Sequence, residues 1–82
     1  MTTNAQLFDG DKLVGQGQCS LPNVSKPETG SMLVLGGGDF LRFDQLTLNL
    51  STGQTYRIMP TQFQPNNLGG LLTFDILKAE QP

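Results

Sequence analysis

The chain of 82 residues contains no histidine and no tryptophan, and it has one cysteine and one tyrosine. Without histidine it lacks the commonest general base, the usual partner of a catalytic serine or cysteine, and the commonest metal-binding side chain. A structural zinc site needs several cysteine or histidine ligands, which a single cysteine does not supply. We therefore expect no metal, no cofactor and no enzymatic activity.

The single cysteine, Cys19, has no partner for a disulfide within the chain. Small secreted domains often carry several disulfides, so this count favours a reducing, cytoplasmic location. The opening sequence MTTNAQLFDG has no basic start and no long apolar stretch, which argues against a signal peptide. No window approaches the roughly 18 apolar residues of a membrane span. Because Cys19 lies on an apolar strand face, we expect a buried, unreactive thiol.

Charged residues are few, with five basic and seven acidic side chains and a pI of about 4.6. The basic residues are dispersed along the chain rather than gathered in a patch, which argues against nucleic-acid binding. They are Lys12, Lys26, Arg42, Arg57 and Lys78. Paired carboxylates could in principle hydrolyse glycosides. However, the aspartates lie beside glycines or at outward strand positions, which favours backbone-supporting and solvent-facing roles.

The length permits one domain, residues 1–82, near the size at which a single core is only just sufficient. Apolar residues other than glycine make up 37% of the chain. We expect burial of this core to stabilise the folded state by only a few kcal/mol once the loss of chain entropy is subtracted. A protein that shares apolar surface with a partner fits this composition best. Residues 79–82 are expected to form a frayed tail.

The strongest structural signal is the stretch 46–60, where two segments alternate apolar and polar residues. Alternation of period two predicts two strands with one buried face each. A three-residue loop, 51–53, pairs Leu48 with Tyr56 and Leu46 with Ile58, whereas a two-residue loop would set apolar against polar residues. Gly53 then occupies the loop position that favours a left-handed backbone. We predict a β-hairpin here.

A second hairpin is predicted over residues 4–14, with Gly10 and Asp11 as a two-residue turn of type II′ or I′. The predicted cross-strand pairs are Phe8 with Leu13, Leu7 with Val14, and Asp9 with Lys12. The second strand continues with an apolar face that is thinned by Gly15 and Gly17. Glycine inside a strand often marks a bulge, a bend or a close backbone approach. Here we predict a bend that lets one strand serve two sides of a barrel or sandwich, with a ligand-binding patch as the alternative.

The next segments alternate between apolar runs and turn signals. Residues 31–35 form a continuous apolar run, which predicts a central strand buried on both faces. The glycine run 36–38 lacks the neighbours of a phosphate-binding loop, so a flexible turn is expected. Residues 40–45 are predicted to be an irregular or strand-like lead-in, with a single helical turn capped by Asp39 as the alternative. Pro60 is expected to end or kink its strand.

These segments predict a small, single-domain, antiparallel β-barrel or sandwich of about six short strands. The last strand, 71–78, places Leu72, Phe74 and Ile76 on one face. Phe8 and Tyr56 are also expected to face inward. The register points three apolar side chains outward: Met59, Leu71 and Leu77.

Function is inferred by elimination, since the chain lacks catalytic groups and is short of core. The first hypothesis is a protein-interaction or accessory module that acts by surface contact, including self-association. Arg57, Met59 and Phe63 are the predicted partner surface. The second hypothesis is a small barrel that binds a ligand or single-stranded nucleic acid. The third is an enzyme that uses carboxylates or a partner subunit.

Overall fold

A computed structural model describes residues 2–21, 28–36 and 38–80, and six antiparallel strands account for most of this part of the chain. The strands are β1 (Thr2–Asp9), β2 (Lys12–Ser20), β3 (Thr29–Leu35), β4 (Leu46–Leu50), β5 (Thr55–Pro65) and β6 (Gly69–Glu80). They close into a barrel in the order β1-β2-β3-β6-β5-β4. The all-β prediction is confirmed, and the barrel is the architecture observed. Closure pairs strands that would otherwise present open edges.

The barrel encloses one cluster of apolar side chains, supplied by alternate residues of every strand and by one aromatic ring from outside the strands. The buried members are Ala5, Leu7, Cys19, Met32, Val34, Phe40, Leu46, Leu48, Leu50, Ile58, Leu72 and Phe74. The partly buried side chains packed against them are Val14, Leu21, Phe43, Tyr56, Phe63 and Ile76. Burial of alternate residues is what a strand with one enclosed face requires.

The hairpin of β4 and β5 has the predicted register, with Leu46 opposite Ile58 and Leu48 opposite Tyr56. Gly53 has a φ of 98°, in the left-handed region that glycine adopts without steric cost. Its amide donates a hydrogen bond to the Leu50 carbonyl, 2.9 Å away. The three-residue loop is therefore confirmed.

The hairpin of β1 and β2 is confirmed in part. Two of its predicted pairs form, Phe8 with Leu13 and Asp9 with Lys12. Gly10 has a φ of 64° and Asp11 does not have a positive φ, which fits a type II′ turn and not a type I′ turn. The third predicted pair, Leu7 with Val14, does not form, because Leu7 lies opposite Gly15.

The error comes from a β-bulge in β2, where Val14 is the extra residue between the two registers. A bulge reverses which side chains face inward on either side of it. Val14 therefore packs against the core, and Leu13 is 47% exposed. Phe8 follows the fully buried Leu7 in an extended strand and lies on the outer face, so the inward prediction for Phe8 was wrong.

Strand β3 is buried on one face only. Met32 and Val34 are fully buried, whereas Leu33 is partly exposed and Leu35 is 54% exposed. The prediction of burial on both faces was wrong because the barrel encloses a single interior and nothing in the described chain covers its outer face. An apolar run in a sequence does not reveal this asymmetry.

Residues 40–42 form a 3-10 turn and residues 43–45 are irregular, so the irregular or strand-like lead-in predicted for 40–45 is found only in its second half. The turn is the alternative that the sequence allowed, although the Asp39 side chain makes no capping hydrogen bond. Its first residue, Phe40, is only 1% exposed and packs against Phe63, with 5.4 Å between ring centroids. Burial of the Phe40 ring in the barrel interior stabilises the turn at this place.

Strands β5 and β6 are longer than expected. Pro60 does not end β5; the strand continues through a register shift between Pro60 and Gln62, where the Thr61 hydroxyl donates to the Thr73 carbonyl. The prediction that Pro60 ends the strand was therefore wrong, and the irregularity expected at this proline takes the form of a register shift. Ala79 and Glu80 belong to β6 and not to a frayed tail, while 81–82 lie outside the described residues. Residues 22–27 and residue 37, the middle of the turn predicted at 36–38, also lie outside them.

Candidate functional site

Four leucines lie together on the outer surface where β3 meets β6, and we call them the leucine patch: Leu33, Leu35, Leu68 and Leu71. Leu33 pairs directly with Leu71 across the two strands. Leu35 lies opposite Gly69, which has no side chain to cover it. The Leu68 carbonyl accepts a hydrogen bond from the Gly36 amide, which holds the loop between β5 and β6 beside the end of β3.

A groove of about 680 Å³ borders the leucine patch and crosses the outer face of β4, β1, β2 and β3. We call it the amide groove, because five of its side chains end in a carboxamide. Its lining consists of Asn4, Ala5, Gln6, Gln16, Gly17, Gln18, Leu33, Leu35, Asn49, Leu50 and Ser51. The lining contains no charged and no aromatic residue.

The polar side chains of the groove form two rows that run across the strands. In the first row, Gln6 lies opposite Asn49 on one side and Gln16 on the other. In the second row, Asn4 lies opposite Gln18, which lies opposite Leu33. Adjacent strands are roughly 4.7–4.9 Å apart, so each amide lies within reach of the next.

Gly17 shapes the groove, because it lets the β3 backbone approach β2 closely. A β-carbon at Gly17 would lie 1.8 Å from the Leu33 carbonyl oxygen. On the interior side, the Phe40 ring covers Gly15, where a β-carbon would lie 2.8 Å from it. The glycines of β2 thus permit close approach, and whether their face also binds a ligand stays a prediction.

The residues of the predicted partner surface do not share one face. Phe63 packs against Phe40 and the core, so it contributes to the interior. Arg57 forms an ion pair with Glu80 and donates to Gln45. Met59 is 38% exposed and lies opposite Asp75, away from the leucine patch. Whether Arg57 and Met59 contact a partner stays a prediction.

The outward direction of Met59, Leu71 and Leu77 is confirmed, since these side chains are 38%, 40% and 44% exposed. Leu71 belongs to the leucine patch, but sequence reasoning missed its neighbours Leu33 and Leu35. Alternation with the buried Met32 and Val34 was the signal that could have found them, had β3 been assigned a single buried face.

The aspartates are spread over the barrel. Asp9 borders the β1–β2 turn, Asp39 and Asp44 flank the 3-10 turn, and Asp75 lies on the outer face of β6. In the described part of the chain, no three cysteine, histidine or acidic residues form a group that could hold a metal ion. Across the same residues, no helix is long and apolar enough to cross a membrane.

Cys19 is 2% exposed, as predicted from its place on the apolar face of β2. Burial raises the pKa of its thiol from 9.0 to about 11. The cause is desolvation, because the interior disfavours the charged thiolate. At neutral pH the group is a neutral thiol that fills space in the core.

This pKa predicts a specific loss of stability at alkaline pH. The contribution of Cys19 to the free energy of unfolding is complete below pH 9.0 and is lost as the pH rises to about 11. We expect the stability of wild type relative to Cys19→Ala to fall by about 2 kcal/mol over that range. Urea unfolding followed by circular dichroism at each pH measures both proteins, and parallel stability curves would contradict the prediction.

No cation among the described residues lines the amide groove. Lys12 lies beside the β1–β2 turn opposite Asp9, and Arg42 lies 4.8 Å from the centre of the Phe43 ring. Arg57 is paired with Glu80 and lies opposite Lys78. Lys26 lies outside the described residues. The lining residues therefore offer phosphate groups no countercharge.

The groove and the leucine patch together form one continuous outer surface, which combines uncharged hydrogen-bonding groups with exposed aliphatic side chains. Comparisons with protein-family models, with curated proteins and with solved structures found no match to this chain.

Proposed function

We propose that the protein is a non-enzymatic interaction module that binds a protein partner through the leucine patch and the adjoining amide groove. The observation that carries the proposal is the cluster of Leu35, Leu68 and Leu71, which are 54%, 63% and 40% exposed. Single exposed leucines are common on protein surfaces, but contiguous apolar patches mark interaction sites. The partner on this surface is either another protein or a second copy of the chain.

The distribution of charge supports this choice of surface. Charged side chains are depleted at the centre of protein interfaces because burying an unpaired charge is costly. The groove lining has none, and the patch consists of leucines alone. By contrast, the predicted surface around Arg57 contains the ion pair with Glu80.

Binding of single-stranded nucleic acid has less support. Such proteins stack bases on exposed aromatic rings and neutralise phosphates with basic groups. Here Phe40, Phe63 and Phe74 pack in the interior, and the groove has neither feature. Carboxylate catalysis also has less support, because the aspartates lie on different parts of the barrel. The proposal places the protein in the cytoplasm, on the basis of its single buried cysteine.

Site-specific photo-crosslinking in the native host tests the proposal. A photoreactive phenylalanine analogue is placed at Leu35 and, in separate proteins, at Met59 and at the exposed turn residue Asp11. We expect discrete protein adducts from position 35 and none from position 11. An adduct of twice the chain mass identifies a second copy as the partner.

The three positions separate the two candidate surfaces. Adducts at position 59 without adducts at position 35 would favour the surface around Arg57 and Met59 and contradict the leucine patch. Equal labelling at positions 35 and 11 would indicate random collision and overturn the proposal. Circular dichroism of each purified protein confirms that the analogue leaves the barrel folded.

A further inference from the structure

We infer that the amide groove binds an extended, uncharged segment of polypeptide, with an aliphatic side chain of that segment against Leu33 and Leu35. This inference rests on the proposed function in choosing a protein as the partner. It adds the chemistry and conformation of the bound segment, which the leucine patch alone does not specify.

The first reason is the hydrogen-bonding capacity of the groove. A carboxamide carries both a donor and an acceptor, as a peptide bond does, and has no charge. Among the hydrogen bonds in the described part of the chain, none involves the five side-chain amides of the groove: Asn4, Gln6, Gln16, Gln18 and Asn49. These groups are free to pair with the backbone of a bound chain.

The second reason is their spacing. Asn4 and Gln6 are two residues apart on β1, and Gln16 and Gln18 are two residues apart on β2. Residues i and i+2 of a strand are roughly 6.6–6.8 Å apart, which is also the distance after which an extended peptide repeats its backbone groups on one side. A peptide lying along β1 and β2 therefore matches both pairs of amides at once.

The third reason is that backbone pairing is already taken up along much of the groove. Residues 5–8 of β1 are paired with both β2 and β4, and residues 17–20 of β2 are paired with both β1 and β3. Over these residues a peptide cannot add to the sheet as an extra strand, which is the usual mode for extended ligands. Recognition there depends on side chains, and most of the outward ones are amides. Gln16 differs, because among the described residues it pairs with Gln6 of β1 and has no partner on β3.

Other ligand classes fit the lining less well. Sites for drug-like small molecules are usually lined by aromatic as well as aliphatic side chains, and the lining of this groove has no aromatic residue. Nucleic acids and acidic or basic peptides need countercharges, which the lining lacks. An uncharged oligosaccharide is the closest rival, because its hydroxyl groups also donate and accept hydrogen bonds.

Nuclear magnetic resonance of the full chain, labelled with nitrogen-15, tests the inference by following the side-chain amide signals of the groove directly. The probe is a mixture of acetylated and amidated hexapeptides with leucine at the third position and serine, threonine, asparagine or glutamine elsewhere. Matched mixtures with glutamate or lysine at two positions, cellotriose and an oligothymidylate are compared with it.

We expect saturable shifts of the Gln6, Gln16 and Gln18 side-chain signals with the uncharged peptides, and weaker binding of the charged mixtures. Gln16→Ala should weaken binding by roughly three- to tenfold, the usual range for one lost hydrogen bond. The matched control Gln62→Ala, on the exposed part of β5 outside the groove, should change it by less than about twofold.

Three results would overturn the inference. They are the absence of saturable shifts at about 10 mM peptide, equal affinity of wild type and Gln16→Ala, and tighter binding of cellotriose or the oligonucleotide at the same amides. Failure here is distinguishable from failure of the proposed function. Crosslinks at Leu35 without peptide shifts would retain the interaction module and refute the peptide, whereas peptide shifts without crosslinks would support the groove and refute the cellular role.

Discussion

Replacing Gly17 by alanine is expected to lower the free energy of unfolding by about 3 kcal/mol, the upper end of the usual cost of overpacking. The added methyl group would lie 1.8 Å from the Leu33 carbonyl oxygen, 2.9 Å from its carbonyl carbon and 3.1 Å from the Val34 α-carbon. These are backbone atoms of β3, so no side chain can rotate away to make room. The two strands must separate where Gly17 pairs with Val34, at the first pair of their ladder.

Urea unfolding followed by far-ultraviolet circular dichroism measures the change. The matched control is Gln18→Ala, which alters the next residue of β2, an exposed one. We expect the control to change stability by less than about 0.5 kcal/mol. If Gly17→Ala were as stable as this control, the close approach of β3 to β2 would be wrong, and with it the shape of the amide groove.

Replacing Phe40 by alanine is expected to cost about 3–5 kcal/mol, the usual loss for a fully buried aromatic residue. The ring is 1% exposed and packs against Phe63 and over Gly15 and Gly38. No other side chain of the 3-10 turn is buried, so the turn itself supplies no group to fill the cavity. For a domain of this size the total stability is roughly 4–12 kcal/mol, so the loss removes a large part of it.

The neighbour Leu41 supplies the control, since it belongs to the same turn and is 50% exposed. Leu41→Ala should cost less than about 1 kcal/mol. A conservative Phe40→Leu should recover part of the loss, because it refills some of the cavity. Equal destabilisation by Phe40→Ala and Leu41→Ala would show that the turn does not close the barrel through Phe40.

Local patterns were sufficient for the register of the β4–β5 hairpin and for the turns of both predicted hairpins. The register of Leu46 with Ile58 followed from matching apolar faces, because a slip of one residue would turn every side chain over. The turn at Gly10 and the loop at Gly53 followed from the need for a positive φ. The bulge at Val14 was not placed, although Gly15 beside it is the kind of residue that often marks a bulge within a strand.

The candidate site was much less predictable. Leu71 was expected to face outward, but its partner Leu33 lies on β3, far away in sequence. The amides of the groove come from β1, β2 and β4, and only closure between β1 and β4 brings Asn49 beside Gln6. Such long-range neighbours are set by strand order, which alternation within single segments does not encode.

By itself, the order of residues determined that the chain forms short antiparallel strands, that its tight turns lie at glycines, and that Cys19, Leu48 and Phe74 enter an apolar interior. Period-two alternation and backbone sterics act over a few residues and need no distant partner. Only the tertiary structure decided that Leu33 and Leu35 remain on the outside, that Phe40 packs into the core, and that uncharged amides from three strands form one groove. Those outcomes depend on how six twisted strands close around a single interior, which is a property of the assembled barrel.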